Sequence, residues 1–203
     1  MAVGAHVYLL GKVPSPKILL KAFEEVKPNL ILTVPLILEK IYKKMILPQL
    51  SKTTMKVALN IPLLDSRIYA QIRKKLVDAF GGRFREVIVG GAAMNEEVTN
   101  FLYKIKFPFT IGYGMTECGP LISYDHNDEY VPGSCGQILK GIMKVRIDSE
   151  DPYNKVGEIQ VSGENVMKGY YKNEEATSKV FTEDGWLRTG DLGTIDADNR
   201  IYI

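Results

Sequence analysis

The sequence has little cysteine, little histidine and no long apolar run. Its two cysteines, Cys118 and Cys135, show no CxxC spacing, which excludes a disulfide framework and a cysteine-rich metal site. Its two histidines, His6 and His126, stand far apart, and no spacing suggests a Ser-His-Asp triad. There is no N-x-S/T sequon. The longest apolar stretch, Leu30 to Leu38, is broken by Thr33 and Pro35 and is too short to span a bilayer. The N-terminus lacks the charged start, apolar core and cleavage pattern of a secretory leader. These absences fit a reducing, cytoplasmic setting, with peripheral contact to the inner face of a membrane left open.

What is present is an ordinary globular composition: 203 residues, 45% hydrophobic and 25% charged, enough for one good-sized domain or two small ones. The net charge of +2 by itself argues for no polyanionic partner, and no nucleic-acid partner is expected. The charge is uneven, however. Residues 1–90 carry 15 Lys/Arg against 6 Asp/Glu, and residues 91–203 carry 11 against 18. A basic half can face a nucleotide, an anionic membrane or an acidic partner. The plainer reading is that Lys40, Lys43, Lys44, Lys52 and Lys56 coat a solvated helix and its flank.

The first 120 residues alternate between helical and strand patterns. Ser15-Pro16 reads as an N-cap with proline at the first helical position, followed by one apolar face of Ile18, Leu19, Ala22, Phe23 and Val26. Leu30–Val34 reads as a buried strand, and Pro35 opens a helix carrying Leu38, Ile41, Tyr42 and Met45. A further helix begins near Ser66, buries Ile68, Ile72, Leu76 and Ala79, and stops at Gly81-Gly82. Glu86–Gly90 is a strand, Asn95–Lys104 a helix and Phe109–Gly112 a strand. This alternation predicts an α/β fold with a mostly parallel sheet layered by helices. Beyond about Tyr124 the texture changes. Met143, Val145 and Ile147, then Ile159 and Val161, alternate with polar residues, which predicts a small β-rich, partly barrel-like unit with one helix at Asn173–Val180. The boundary falls in the polar stretch Asp125–Pro132, giving an α/β part at 1–126 and a β-rich part at 127–203.

Three loops carry candidate chemistry. In Gly90-Gly91-Ala92-Ala93, small residues let a planar ligand approach the backbone, and the amides of the helix start that follows can donate to it. Gly112-Tyr113-Gly114-Met115-Thr116-Glu117 sits at the C-terminal edge of a strand, where open α/β sheets bind ligands. Tyr113 is suited to stacking on a base and Glu117 to holding a hard cation through oxygen. Taken singly, Tyr113 as a core aromatic and Glu117 as a solvated charge are the simpler readings. In Trp186-Leu187-Arg188-Thr189-Gly190-Asp191, a carboxylate just after a glycine turn is suited to accepting two hydrogen bonds from a ribose diol, or simply closes the turn. Asp125-His126-Asn127-Asp128-Glu129 offers consecutive residues that disperse their side chains, so it reads as a solvated loop and not a metal cluster. Cys118 reads as an inert small residue beside Glu117.

Together these segments resemble the adenylate-forming superfamily of acyl-CoA synthetases, luciferases and peptide-synthetase adenylation domains, over essentially the whole chain and in the family's order. Lys27-Pro28 through Val34-Pro35 is similar to its approach strand, Gly90-Gly91-Ala92-Ala93 to its adenine-wall turn, and Tyr113-Gly114-Met115-Thr116-Glu117 to its YGxTE motif. Gly157-Glu158-Ile159 with Gly163 resembles its GE(I/L)xxxG strand, and Gly169-Tyr170-Tyr171-Lys172-Asn173 its GYY(K/N)N segment. Asp184-Gly185-Trp186 with Thr189-Gly190-Asp191 resembles its DGW…TGD. The texture of Val34–Tyr42 and Gly112–Tyr124 looks most like bacterial long-chain fatty-acid–CoA ligases.

The resemblance implies a ligase that joins a fatty acid to AMP, releasing pyrophosphate, and then transfers the acyl group to coenzyme A. ATP, Mg²⁺ and coenzyme A are the implied cofactors and co-substrates. It further implies that Tyr113 stacks on adenine within the Gly112–Met115 loop, with Gly114 beside it, while Gly91, Ala92 and Ala93 line the base edge. Thr116 would touch the α-phosphate, Glu117 bind Mg²⁺ and Asp191 hold the ribose hydroxyls, with Thr116 and Glu117 the catalytic pair. The family's lysine-containing phosphate loop, its hinge and its C-terminal lysine-bearing domain are not found in these 203 residues. Met1 accordingly reads as an artificial start, and the chain as a piece expected to be inactive alone. Two alternatives stay open: a non-catalytic nucleotide-binding module, and an adenylating enzyme for an aryl or amino acid.

Overall fold

The computed structural model describes residues 4–11 and 15–203, so Met1 lies outside the described residues. The fold is mixed α/β, with a parallel sheet, helices and a curled antiparallel sheet, as the alternating pattern predicts. Contacts gather the chain into two compact units, residues 1–87 with 94–108, and residues 88–93 with 109–203. The change of texture near residue 126 is a different division, made by composition and not by contacts.

The first unit opens with helix α1 (Pro16–Val26). Ser15 Oγ accepts from the Ile18 N–H at 3.4 Å, and Pro16 takes the first turn, where its missing N–H costs nothing. Lys27 ends the helix in the left-handed conformation, its N–H donating to Phe23 O. Strand β1 (Leu30–Thr33) follows, but only Ile31 is buried; Leu30 and Leu32 face solvent. The expectation of a wholly buried strand fails here. An unbroken apolar run does not say which of its two faces finds a partner.

Helix α2 (Pro35–Ile41) passes into a π-helical turn over Tyr42–Ile46, then α3 (Leu47–Leu50) and α4 (Thr53–Ala58). Pro48 lies in the first turn of α3 and, lacking an N–H, cannot continue one uniform ladder from α2. Helix α5 runs from Leu64 to Ala79 and ends at Phe80, with Gly81 and Gly82 both at positive φ. Of its expected inner residues Leu76 is buried, and Ile68, Ile72 and Ala79 are half-buried. At Gly81 a Cβ would collide with the carbonyl of Phe23, so the α5 stop and the end of α1 pack only through glycine. Phe23, Phe80, Phe84 and Phe107 form the aromatic heart of this unit, with ring centroids 5.3–5.9 Å apart. Helix α6 (Glu96–Lys104) is capped by Asn95, whose Oδ1 accepts from the Val98 N–H at 3.2 Å.

The unit division passes through strand β2 (Glu86–Val89). Its second half begins the other unit, where the Gly112 N–H, just after β3 (Phe109–Ile111), donates to Val89 O at 2.9 Å. A hairpin of β4 (Tyr113–Gly114) and β5 (Leu121–Ser123) follows. Strands β6 (Met143–Asp148), β7 (Gly157–Gly163), β8 (Leu187–Ile195) and β9 (Ile201–Tyr202) make a four-stranded antiparallel sheet in that order. Ile147, Ile159, Val161, Leu187, Ile195 and Ile201 are buried there with Tyr113, Cys118 and Ile122. Helix α7 (Glu174–Val180) is capped by Asn173.

Candidate functional site

All three candidate loops lie in the second unit. Residues 91–93 are exposed, and Gly91 takes φ +86° with open space where a side chain would stand. The turn therefore leaves a small-walled, accessible edge. The helix-start amides are less available than the sequence suggests. Within the first unit, Glu39 Oε1 accepts from the Asn95 N–H at 3.0 Å, and Asn95 caps Val98.

The second loop is shaped by close approach. Tyr113 pairs with Ser123 across the β4–β5 hairpin, and a Cβ on Gly114 would drive into the carbonyl oxygen of Pro120. A Cβ on Gly112 would meet Ser123 O only at 3.4 Å, so no such constraint applies there. Tyr113 is 9% exposed, its ring packed among core residues, with Met115 half-buried against the same cluster. The core-aromatic reading therefore holds for most of the ring. Its hydroxyl is not left idle, because it donates to Asp191 Oδ2 at 2.7 Å. Burial raises the Tyr113 phenol above tyrosine's ordinary range; Thr189 pulls against this and the negative charge of Asp191 adds to it. Thr116, exposed, begins a single 3₁₀ turn (Thr116–Cys118), and Glu117 follows it half-buried. Cys118 is buried, which pushes its thiol up to about 11; burial pushes the half-buried Cys135 to about 11 as well.

The third segment departs from expectation. It is not a loop: Asp191 sits inside strand β8. The β7–β8 register shifts between Glu158 and Gln160, and Gly190 in the same stretch has φ +78°. This irregularity works as a β-bulge, which re-aims a side chain out of the ladder. Thr189 pins it, donating to Ile159 O at 2.8 Å and accepting from the Asp191 N–H at 3.2 Å. Upstream, the Arg146 guanidinium stacks over the Trp186 ring at 4.6 Å and makes a two-pronged pair with Asp184. That pair holds the Asp184 carboxyl well below its usual range.

Asp125 also departs from expectation. It is 3% exposed and pairs with Arg200 Nε at 3.1 Å, so the 125–129 stretch does not begin as a solvated loop. A buried carboxylate requires a fixed partner, and Arg200 lies 75 residues away in sequence, where no local pattern announces it.

Sequence reasoning noted Gly169–Asn173 as a segment of family likeness but gave Asn165, Met167 and Tyr170 no part in the site. Asn165 Nδ2 donates to the carbonyls of Cys118 and Leu121 at 2.6 and 2.8 Å. The Met167 N–H donates to Glu117 O at 2.7 Å, and the Tyr170 hydroxyl to Glu117 Oε1 at 2.9 Å. The likeness of Gly169–Asn173 to a family segment marked the region, but no local pattern showed that Tyr170 reaches Glu117 across 53 positions. The Tyr170 bond occupies only one oxygen of the Glu117 carboxylate. A magnesium ion needs one or two protein carboxylates when phosphates and water complete its shell, so this single acid fits; among the described residues no group of three metal-ligating side chains exists.

Comparison with known proteins places this geometry. The chain is 36% identical to 4-coumarate-CoA ligase 1 of Narcissus pseudonarcissus over 70% of its length, covering 28% of that protein. It is 29% identical to Long-chain-fatty-acid–CoA ligase 1 of Saccharomyces cerevisiae over 89% of its length, again 28% of the relative. The crystal structure of ATP-bound MatB from Rhodopseudomonas palustris superposes with a TM-score of 0.68 at 26% identity, over 96% of this chain and 33% of that one. The chain thus spans about a quarter to a third of the length of these proteins. With residues 1–171 matching the model for AMP-binding enzymes, the chain belongs to the AMP-binding enzyme family.

Proposed function

We propose that this chain carries the nucleotide-binding part of an AMP-forming acid–CoA ligase, with residues 1–126 the α/β portion of its large domain and 127–203 the β-rich portion. The observation that carries it is the Tyr113–Asp191 bond, which joins two motifs 78 residues apart at 2.7 Å. An aromatic ring and a diol-accepting carboxylate side by side match a nucleoside. In this reading the Gly91, Ala92 and Ala93 backbone lines the base edge, and the accessible part of the mostly buried Tyr113 ring meets the base within the Gly112–Met115 turn. Gly114 keeps that turn narrow. Asp191 holds the ribose, Thr116 reaches the α-phosphate, and Glu117 holds the Mg²⁺ that accompanies ATP.

The chemistry is carboxylate activation. The acid oxygen attacks the α-phosphorus, pyrophosphate leaves, and the thiol of coenzyme A then displaces AMP from the acyl carbon. Bound Mg²⁺ supplies neutralisation of phosphate charge. The chain's own groups orient the nucleotide: an exposed hydroxyl at Thr116, a fixed carboxylate at Asp191 and a close-packed turn at Gly114. For the acid, a long-chain fatty acid is the reading we favour. Identity to the coumarate ligase is higher, but the yeast fatty-acid ligase aligns over 89% of the chain against 70%. An aryl acid is the competitor. The proposal places the enzyme in the cytoplasm, with the lysine-rich stretch 40–56 touching an anionic membrane surface.

The test is Glu117→Gln in the ligase that carries this chain, with the two half-reactions followed across a magnesium titration. Glutamine keeps size and hydrogen-bonding reach but deletes the charge that a hard cation needs. Adenylation should fall steeply and recover in part at high Mg²⁺, while thioester formation from supplied acyl-adenylate should fall much less. Equal losses that ignore magnesium would remove the metal role.

A further inference from the structure

The strap formed by residues 165–170 is fastened to the 117–121 turn by three bonds that need no phenol: two from Asn165 and one from the Met167 N–H. The fourth, from Tyr170, ends on the carboxylate itself. Tyr170 is set for this from behind. Its N–H donates to Thr177 Oγ1 at 2.9 Å, and Thr177 Oγ1 donates to Asn173 O at 2.7 Å on helix α7. Gly169 sits at φ +146°, where a Cβ would lie 2.7 Å from Thr177 Cγ2, so only glycine lets the strap come this close to the helix. The Tyr170 side chain remains 37% exposed, so it is not there to fill a core.

A glutamate side chain that must meet a cation loses rotamer freedom on doing so, and a partner that holds it beforehand removes that cost. The nature of the partner decides whether the help is real. A lysine or arginine would fix the carboxylate but cancel the charge the cation requires. A neutral phenol fixes one oxygen and leaves both the charge and the second oxygen in place.

We infer that Tyr170 is a positioning residue for Glu117, holding Oε1 so that Oε2 meets the divalent cation that accompanies the nucleotide. The inference rests on the metal role proposed above for Glu117, and it extends the site to the Gly169–Asn173 segment. The test uses Tyr170→Phe, Glu117→Gln and the double variant in the ligase that carries this chain. Manganese binding is measured by electron paramagnetic resonance in the presence of a non-hydrolysable ATP analogue, and the melting temperature is measured without cation.

Tyr170→Phe should raise the manganese dissociation constant and the magnesium half-saturation of adenylation by about three- to tenfold, the effect of one hydrogen bond to a charged group. Its cation-free melting temperature and its thioester-forming half-reaction should stay at the parent values. The phenylalanine change should add nothing in the Glu117→Gln background. A dissociation constant raised by Glu117→Gln but untouched by Tyr170→Phe would overturn the role of Tyr170 and spare that of Glu117. Constants unchanged in both would show that Glu117 does not hold the cation, and the inference would fall with it. A lowered melting temperature with both half-reactions reduced together would make Tyr170 a fastener of the strap and nothing more.

Discussion

A phenol buried beside a carboxylate is held in its neutral form, and this decides what Tyr113 can do. Burial and the charge of Asp191 raise its pKa, so the hydroxyl stays a donor throughout the neutral range. It occupies Oδ2 of Asp191, an exposed residue, and leaves Oδ1 outside that bond. Asp191→Ala should then weaken ATP binding about ten- to hundredfold, since charge-assisted bonds to a diol are lost and water only partly refills the gap. Tyr113→Phe keeps the ring and removes the clamp, and should cost about two- to tenfold. Neither change should alter the ranking of acids. Michaelis constants for ATP across a set of acids check this, and an unchanged constant in Asp191→Ala would take that residue out of the site. Tyr113, Glu117 and Asp191 were each legible in the sequence as residue types in glycine-containing loops. Their mutual geometry was not, because the bond from Tyr113 to Asp191 spans 78 positions and depends on a bulge in β8 that no local pattern displays.

At the scale of elements, glycines separate into those that serve conformation and those that serve closeness. Gly91 has φ +86° and nothing near it, so Gly91→Ala should cost about 1 kcal/mol of backbone strain and little else. Gly114 has an ordinary backbone, but Pro120 lies against it in the β4–β5 hairpin. Gly114→Ala must push that hairpin apart, at about 1–3 kcal/mol, and a domain of this size loses roughly 2–4 °C for each of those. Differential scanning calorimetry should therefore show Gly114→Ala melting below Gly91→Ala, and both below the parent. A Gly114→Ala protein as stable as its parent would show that the hairpin is loose. Helix ends were well read from sequence where caps act locally: the Ser15 cap and the Gly81-Gly82 stop both stand where their chemistry places them. Helix α4 and the π-helical turn at Tyr42–Ile46 were not seen. They arise from how a lysine-rich, weakly periodic stretch settles against its surroundings, and propensity alone is silent there.

For the molecule as a whole, charge is divided more sharply than the total suggests. Residues of the first unit carry 17 Lys/Arg against 8 Asp/Glu, and those of the second carry 9 against 16. Between Lys40 and Leu64 there is no acidic residue at all, and Lys40, Lys43, Lys44, Lys52 and Lys56 are all exposed. Among them stand Val57 at 60% and Leu63 at 79% exposure, apolar groups with no cover inside their own unit. Among the described residues no helix is long and apolar enough to cross a membrane, so attachment through this stretch would be to a surface. Each lysine near an anionic bilayer contributes about 1 kcal/mol, within a screening length of about 10 Å at 0.1 M salt. The protein should therefore sediment with vesicles containing phosphatidylserine and not with phosphatidylcholine alone, and should be released as salt is raised towards about 0.5 M. Replacing Lys43, Lys44, Lys52 and Lys56 together by alanine should weaken that binding by at least about tenfold, given that about 1.4 kcal/mol is a decade. Adenylation of a soluble acid should not change, because none of these residues belongs to the nucleotide site proposed above. If the quadruple variant sediments as the parent does, or if neutral vesicles bind equally well, the basic stretch is only a solvated face.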